Sequence, residues 1–184
     1  MTHRLITLLF AALILVPVAA RAGDRSGESV GGCPPLPESA LQKIAQVMDL
    51  VQAHKAPEAF ALANSVVLEH PCHVSYQARA SCLQLLRKHR AAIDDFRRAY
   101  GLVEESYDLE GMARSAIAIG DIDLALKVGR ALKKFPYQSK PERVRGMRCV
   151  DAIAAAGNML LDTQQNAAHE RPVSNRSDGV GDSE

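Results

Sequence analysis

Three alanines set the frame for this chain. Ala59, Ala92 and Ala125 lie 33 residues apart, and a large apolar residue follows each: Phe60, Ile93 and Leu126. Twelve residues before each alanine stand Val47, Ala80 and Ala113, and Gly146 continues the step. Leu50, Leu83, Ala116 and Cys149 share the period, as do Val66, Ala99 and Leu132. Self-similarity at a fixed period of this length marks a repeat architecture. Small residues let two antiparallel helices approach closely, and large residues one turn away fill the space around the crossing. One hairpin cannot bury both of its faces, so copies must stack.

The local pattern is helical throughout residues 39–157. Leu41, Ile44, Val47, Met48 and Val51 share one helical face. Pro57 sits where a second helix can begin, and Ala59, Ala63, Val66 and Val67 continue it to Pro71. Ala80, Leu83 and Leu86 mark a third helix; Ala92, Phe96 and Ala99 mark a fourth. Met112, Ala113, Ala116 and Ile119 mark a fifth, ended by Gly120. Asp121 is placed to cap a sixth, through Ala125, Val128 and Leu132 towards Pro136. Ser139 and Glu142 have capping-box spacing and open a seventh helix, expected to stop near Gly157. No stretch alternates Val, Ile or Thr in the manner of a strand.

The second unit carries the family signature most fully. Ala80-Ser81-Cys82-Leu83-Gln84-Leu85-Leu86 is followed by Ala92-Ile93-Asp94-Asp95-Phe96-Arg97-Arg98-Ala99-Tyr100. This resembles the small–small–aromatic–small pattern of the tetratricopeptide repeat (TPR) family. The third unit adds Gly120-Asp121 at its turn, Leu124-Ala125-Leu126 after it and Pro136 near its end. The first unit keeps Ala59 and Pro71. The period is one residue shorter than is usual for that family, and Ala63 and Gly129 stand where Phe96 supplies the aromatic. The resemblance implies an all-α fold: a right-handed α-solenoid of about three TPR-like helical hairpins with a C-terminal capping helix.

The two ends read differently. A short basic start, Met1 to Arg4, precedes an almost unbroken apolar run from Leu5 to Ala20. Ala20-Arg21-Ala22 then offers the small residues that a signal peptidase reads, so residues 1–22 are expected to be a signal peptide cleaved after Ala22. The run is shorter than the roughly 20 residues that span a bilayer, and Pro17 lies near its end. No later segment is apolar enough to span, so no membrane insertion is expected after cleavage. Residues 23–38 form a lead-in rich in Gly and Pro. Residues 158–184 are polar and rich in Asn, Ser, Asp and Gly, and are expected to be a disordered tail.

Charge narrows the partners. The whole chain has 22 Lys and Arg against 21 Asp and Glu. Such a balance gives no bulk attraction to nucleic acid or membrane. Arg87, Lys88, His89 and Arg90 form a basic turn, followed by Arg97 and Arg98. Asp94 and Asp95 interrupt it, and no aromatics are interleaved to stack bases. Arg143, Arg145 and Arg148 make the cap helix basic as well. These read as solvated faces, and no nucleic-acid partner is expected.

In the family, the first helix of each pair lines a groove that holds peptides or partner proteins. The resemblance implies that Gln77, Ser81, Gln84, Glu110, Arg114 and Arg143 face that groove. The family's carboxylate clamp is absent, since Ile44 and Met48 stand where its Lys and Asn would be. Four cysteines in an exported chain suggest disulfides. On the repeat arrangement, Cys82 and Cys149 lie two units apart, at roughly 10 Å per helix layer. That exceeds the roughly 7 Å limit on bridged Cα atoms. Cys33 and Cys72 precede neighbouring hairpins, so the implied bridge is Cys33–Cys72, with Cys33–Cys82 as the alternative. Cys149 falls on a core position and reads as a buried free thiol.

The function expected from these features is that of an exported, periplasmic or secreted adaptor or scaffold. It would bind a peptide or a partner protein, alone or as an oligomer, without enzymatic activity, metal or cofactor. The alternative is a redox or metal-handling factor using His70, Cys72 and His73. No CxxC or HExxH motif accompanies that cluster, which falls at a repeat junction.

Overall fold

A computed structural model describes residues 35–169. They form seven helices, and no strand occurs among the described residues. The helices are α1 (Glu38–Gln52), α2 (Ala56–Glu69), α3 (His73–Leu85), α4 (His89–Leu102), α5 (Ser106–Ala118), α6 (Ile122–Lys134) and α7 (Lys140–His169). Each packs on the next in sequence. The first helices of successive hairpins also touch: α1 with α3, α3 with α5 and α5 with α7. The architecture is therefore a helical solenoid of three hairpins closed by α7. The expected signal peptide, Cys33, most of the lead-in and residues 170–184 lie outside the described residues.

The repeated positions are the core. Ala59, Ala92 and Ala125 are fully buried, as are Val47, Ala80 and Ala113. Val66, Ala99 and Leu132 are buried in the same way, and Gly146 and Cys149 continue the pattern on α7. One cluster joins Ile44, Val47 and Val51 of α1 to Ala59, Ala63 and Val66 of α2 and to Ala78 and Cys82 of α3. A larger one runs from Ala80 to Ile153 and holds Phe96, Leu109, Met112 and Leu132. Phe60 packs against both, so the two clusters are continuous at the first hairpin.

One of the two missing aromatics, that at Gly129, has a structural counterpart. Phe96 is fully buried and reaches α5 at Gly111, where an added Cβ would come within 2.5 Å of its ring. At Gly129, the equivalent position on α6, Ile153 of α7 enters instead and lies 3.1 Å from where a Cβ would be. The volume is thus supplied from the neighbouring helix.

The three hairpin turns share one geometry. His54, Arg87 and Gly120 have φ of 56°, 57° and 74°, the only positive values among the described residues, and they too are 33 residues apart. Behind each, the next N–H reaches back to the helix: Lys55 to Leu50 O, Lys88 to Leu83 O and Asp121 to Ala116 O, each at 2.9 Å. His54, Arg87 and Gly120 donate to Val51 O, Gln84 O and Ile117 O at 3.1, 3.0 and 3.1 Å. This pair of bonds is a Schellman motif, which satisfies the last carbonyls of a helix and turns the chain in the left-handed region. Glycine suits that region best, yet only the third copy uses it. The expected Asp121 cap forms, its carboxylate accepting from Leu124 N at 3.0 Å.

The C-terminal end departs from the expected stop. α7 continues through Gly157 to His169, a run of 30 residues. In the repeat, the fourth turn belongs at Ile153, which is instead helical and buried. The positions matching Ala125, Gly129 and Leu132 are Asn158, Asp162 and Gln165. A second helix with polar residues at its core positions has nothing to gain by folding back, so the helix runs straight on.

Candidate functional site

The chemistry on the first helices gathers along the contacts of α5 with α3 on one side and α7 on the other. His73 stands at the start of α3 and Asp108 in the first turn of α5. His73 Nε2 lies 3.0 Å from Asp108 Oδ2, and Asp108 is fully buried. The Gln77 amide nitrogen is 2.9 Å from the same ring nitrogen and 3.4 Å from Glu105 Oε2. With Asp108 ionised, the ring N–H donates to Asp108 and the Gln77 amide donates to Glu105. One turn on, Ser81 Oγ donates to Gln77 O at 3.0 Å and meets the Tyr107 hydroxyl at 3.3 Å. Gln84 donates to Gly111 O at 2.9 Å and to Ser115 Oγ at 2.8 Å.

The seam continues onto α7. Ser106 Oγ donates to Glu142 Oε1 at 2.9 Å, and Glu142 Oε2 accepts from Gln138 N at 3.2 Å. Glu142 N donates to Ser139 Oγ at 3.3 Å, so the expected cap of α7 is present and its carboxylate also ties α7 to α5. Glu110 is buried beside it. Asp108 Oδ1, Glu110 Oε1 and Arg114 Nε are buried and find no hydrogen-bond partner among the described residues. The Arg114 guanidinium instead lies over the Tyr107 ring, 5.9 Å from its centroid.

Burial dominates the protonation of both carboxylates. It pushes the Asp108 carboxyl above its ordinary value, while the His73 hydrogen bond and charge pull partly back. Burial likewise raises Glu110, and the charges of Arg145 and Arg114 offset part of that rise. Burial also pushes the Cys82 thiol up to about 12 and the Cys149 thiol up to about 11. Both stay protonated at neutral pH and are poor nucleophiles.

The residues assigned to a groove thus occupy two kinds of place. Gln77, Ser81, Gln84, Glu110 and Arg114 lie in the seam, buried or half-buried; Arg143 is exposed on α7. A repeat pattern shows which face of a helix a side chain occupies but not how close the neighbouring first helix comes. The seam's main members, His73 and Asp108, were not among the groove candidates. Their signal was a polar residue in the first turn of each helix, a place where capping normally explains polarity.

The His70-Cys72-His73 cluster is drawn apart by its own helix start. Cys72 is the N-cap of α3 and is buried. Its N–H donates to Ser75 Oγ at 3.0 Å, and the Ser75 hydroxyl faces the carbonyls of His70 at 2.7 Å and Cys72 at 2.9 Å. The side chains of Cys72 and Ser75 make a capping box. The His73 Nε2 turns to Asp108. Among the described residues, no group of three or more His, Cys, Asp and Glu side chains is arranged to hold a metal ion. Cys72, Cys82 and Cys149 are free thiols there, while the implied partner Cys33 lies outside the described residues.

The basic turn leads into internal pairing. Arg97 pairs with Asp94 at 3.0 Å and Arg98 with Asp95 at 3.4 Å. Arg79 of α3 grips the buried Asp95 with two bonds of 2.7 and 2.8 Å and donates to Asn64 at 2.9 Å. No described helix is long and apolar enough to cross a membrane. No family model matches the chain and no curated protein is significantly similar to it.

Proposed function

We propose that this chain is an exported adaptor of the tetratricopeptide-repeat type, acting in the periplasm or outside the cell and binding a peptide or partner protein along its first helices. One observation carries the reading: α1, α3, α5 and α7 contact one another in order, giving a continuous face across the solenoid. Along it Leu41 and Val74 are exposed, Met48, Tyr107 and Met147 are half-buried, and Arg143 is open to solvent. This mixture suits an extended segment that brings both apolar and polar side chains.

The contact residues are best sought among these exposed positions. Gln77 and Gln84 already bond within the molecule. A photo-crosslinking residue at Val74 or Arg143 is expected to capture a partner, whereas the same probe at Leu68 or Arg130 is not. Equal capture from all four positions would remove support for a binding face.

We further propose a Cys33–Cys72 clasp between the lead-in and α3. Leu36 packs against the first core cluster, which holds the chain entering α1 close to the repeat. Cys72 stands at the adjacent helix start. Thiol titration of the unfolded, unreduced protein is expected to find two reactive thiols, Cys82 and Cys149; finding Cys72 reactive as well would exclude the clasp.

A further inference from the structure

In a stack of repeats each hairpin contacts only its neighbours, so a change of shape is carried by the junctions between them. The first junction sets Ile44, Val47 and Val51 of α1 near Ala78 and Cys82 of α3. Among the described residues it carries no buried carboxylate or histidine between α1 and α3. The second and third junctions hold Asp108, fully buried, and Glu110, 7% exposed, both on α5. One oxygen of each has no hydrogen-bond partner among the described residues. A buried carboxylate tolerates this when protonated and pays heavily when charged.

We infer that ionisation of Asp108 and Glu110 loosens α5 from α3 and α7, so that the second and third hairpins and the cap helix form a joint that opens as pH rises. The inference concerns the shape of the solenoid and holds whether or not the first-helix face binds a partner.

The groups facing this pair come from several elements. His73 and Gln77 of α3 and Glu105, preceding α5, face Asp108, and the Tyr100 phenol of α4 feels its charge. Glu110 is influenced by Arg114 of α5 and by Glu142 and Arg145 of α7; its own charge acts on Tyr137, before α7, and on Cys149 of α7. Arg114 and Arg145 pull Glu110 towards the charged form, yet burial outweighs them. A group whose folded pKa is raised stabilises the fold most fully below its unfolded value and loses that stabilisation as pH rises through the folded value. The loosening therefore starts above the ordinary carboxylate range and grows upward from there.

Amide hydrogen exchange of the full chain tests this. Protection factors, corrected for intrinsic exchange, are compared between α5 and α2 from about pH 4.5 to about pH 8. The expected result is a fall of about tenfold in α5 relative to α2 as the two carboxyls lose their protons. In an Asp108→Asn, Glu110→Gln double variant that fall shrinks to about twofold or less. A flat wild-type ratio overturns the proposal. So does a fall that survives the double substitution, including one that then vanishes in His73→Gln, which would place the titration on the imidazole. If Asp108→Asn prevents folding, Glu110→Gln alone must reduce the fall; an unchanged fall in that variant overturns the proposal.

Discussion

The first and second hairpin junctions use equivalent helices at the same period and fill them with different chemistry. Between α1 and α3 the contact is apolar, with Val47 and Cys82 fully buried. Between α3 and α5 a line of hydrogen bonds runs from His73–Asp108 through Ser81–Tyr107 to Gln84–Ser115. Stacking requires matched shape and small residues at the crossings, and both junctions meet that requirement. What fills the seam beyond the crossings is free to vary. The apolar junction is held by shape-matched packing. The polar one fixes the alignment of its helices, because displacement by one residue would leave several buried groups unpaired.

The largest disturbance is expected where the second hairpin meets the third. Phe96 sits edge-on to Tyr107, with centroids 6.1 Å apart, and has no exposed surface. Phe96→Ala should cost about 3–5 kcal/mol in denaturant unfolding, the usual range for a buried ring. A loss below about 1 kcal/mol would mean that α5 collapses onto α4 and that the Gly111 approach is not specific.

The two junctions can then be set against each other directly. Ile44→Ala in the apolar junction should cost about 2–4 kcal/mol. Gln84→Ala in the polar one should cost about 1–3 kcal/mol, because it leaves Gly111 O and Ser115 Oγ without that donor. The comparison fails if Gln84→Ala proves neutral, since the polar seam would then contribute no alignment.

The smallest effects belong to the turns. Arg87→Gly should raise stability by about 1 kcal/mol by relieving a left-handed residue, while Gly120→Ala should lower it by a similar amount. Lys88→Asp should add about 0.5–1 kcal/mol by supplying the cap that Asp121 already gives to α6. Thermal midpoints of the three variants decide this, and equal midpoints would mean that the turn residues are interchangeable.

Much of the fold was legible because the 33-residue period repeats on small buried positions. The helix starts at Pro57, Asp121 and Ser139 were legible from local chemistry. The end of α7 was not: Gly157 suggested a stop, but a glycine ends a helix only when the following chain has somewhere better to pack. The turns at His54 and Arg87 were hidden because neither residue favours the left-handed region. Their conformation is imposed by the helices on either side.

The groove residues show the same division more sharply. Periodicity placed Gln77, Ser81, Gln84, Glu110 and Arg114 on first helices, and they are there. It did not reveal that α3 and α5 lie close enough for Gln84 to bond across to Ser115, or for His73 to meet Asp108.

The sequence by itself determined the three alanines, their period and therefore the stacked hairpins, because small residues recurring at one period let each copy pack on the next in the same way. The tertiary structure alone decided which polar residues on those helices stay open to a partner and which are taken into the seam. That choice depends on the separation of neighbouring first helices, a distance set by every buried side chain between them and by no single motif.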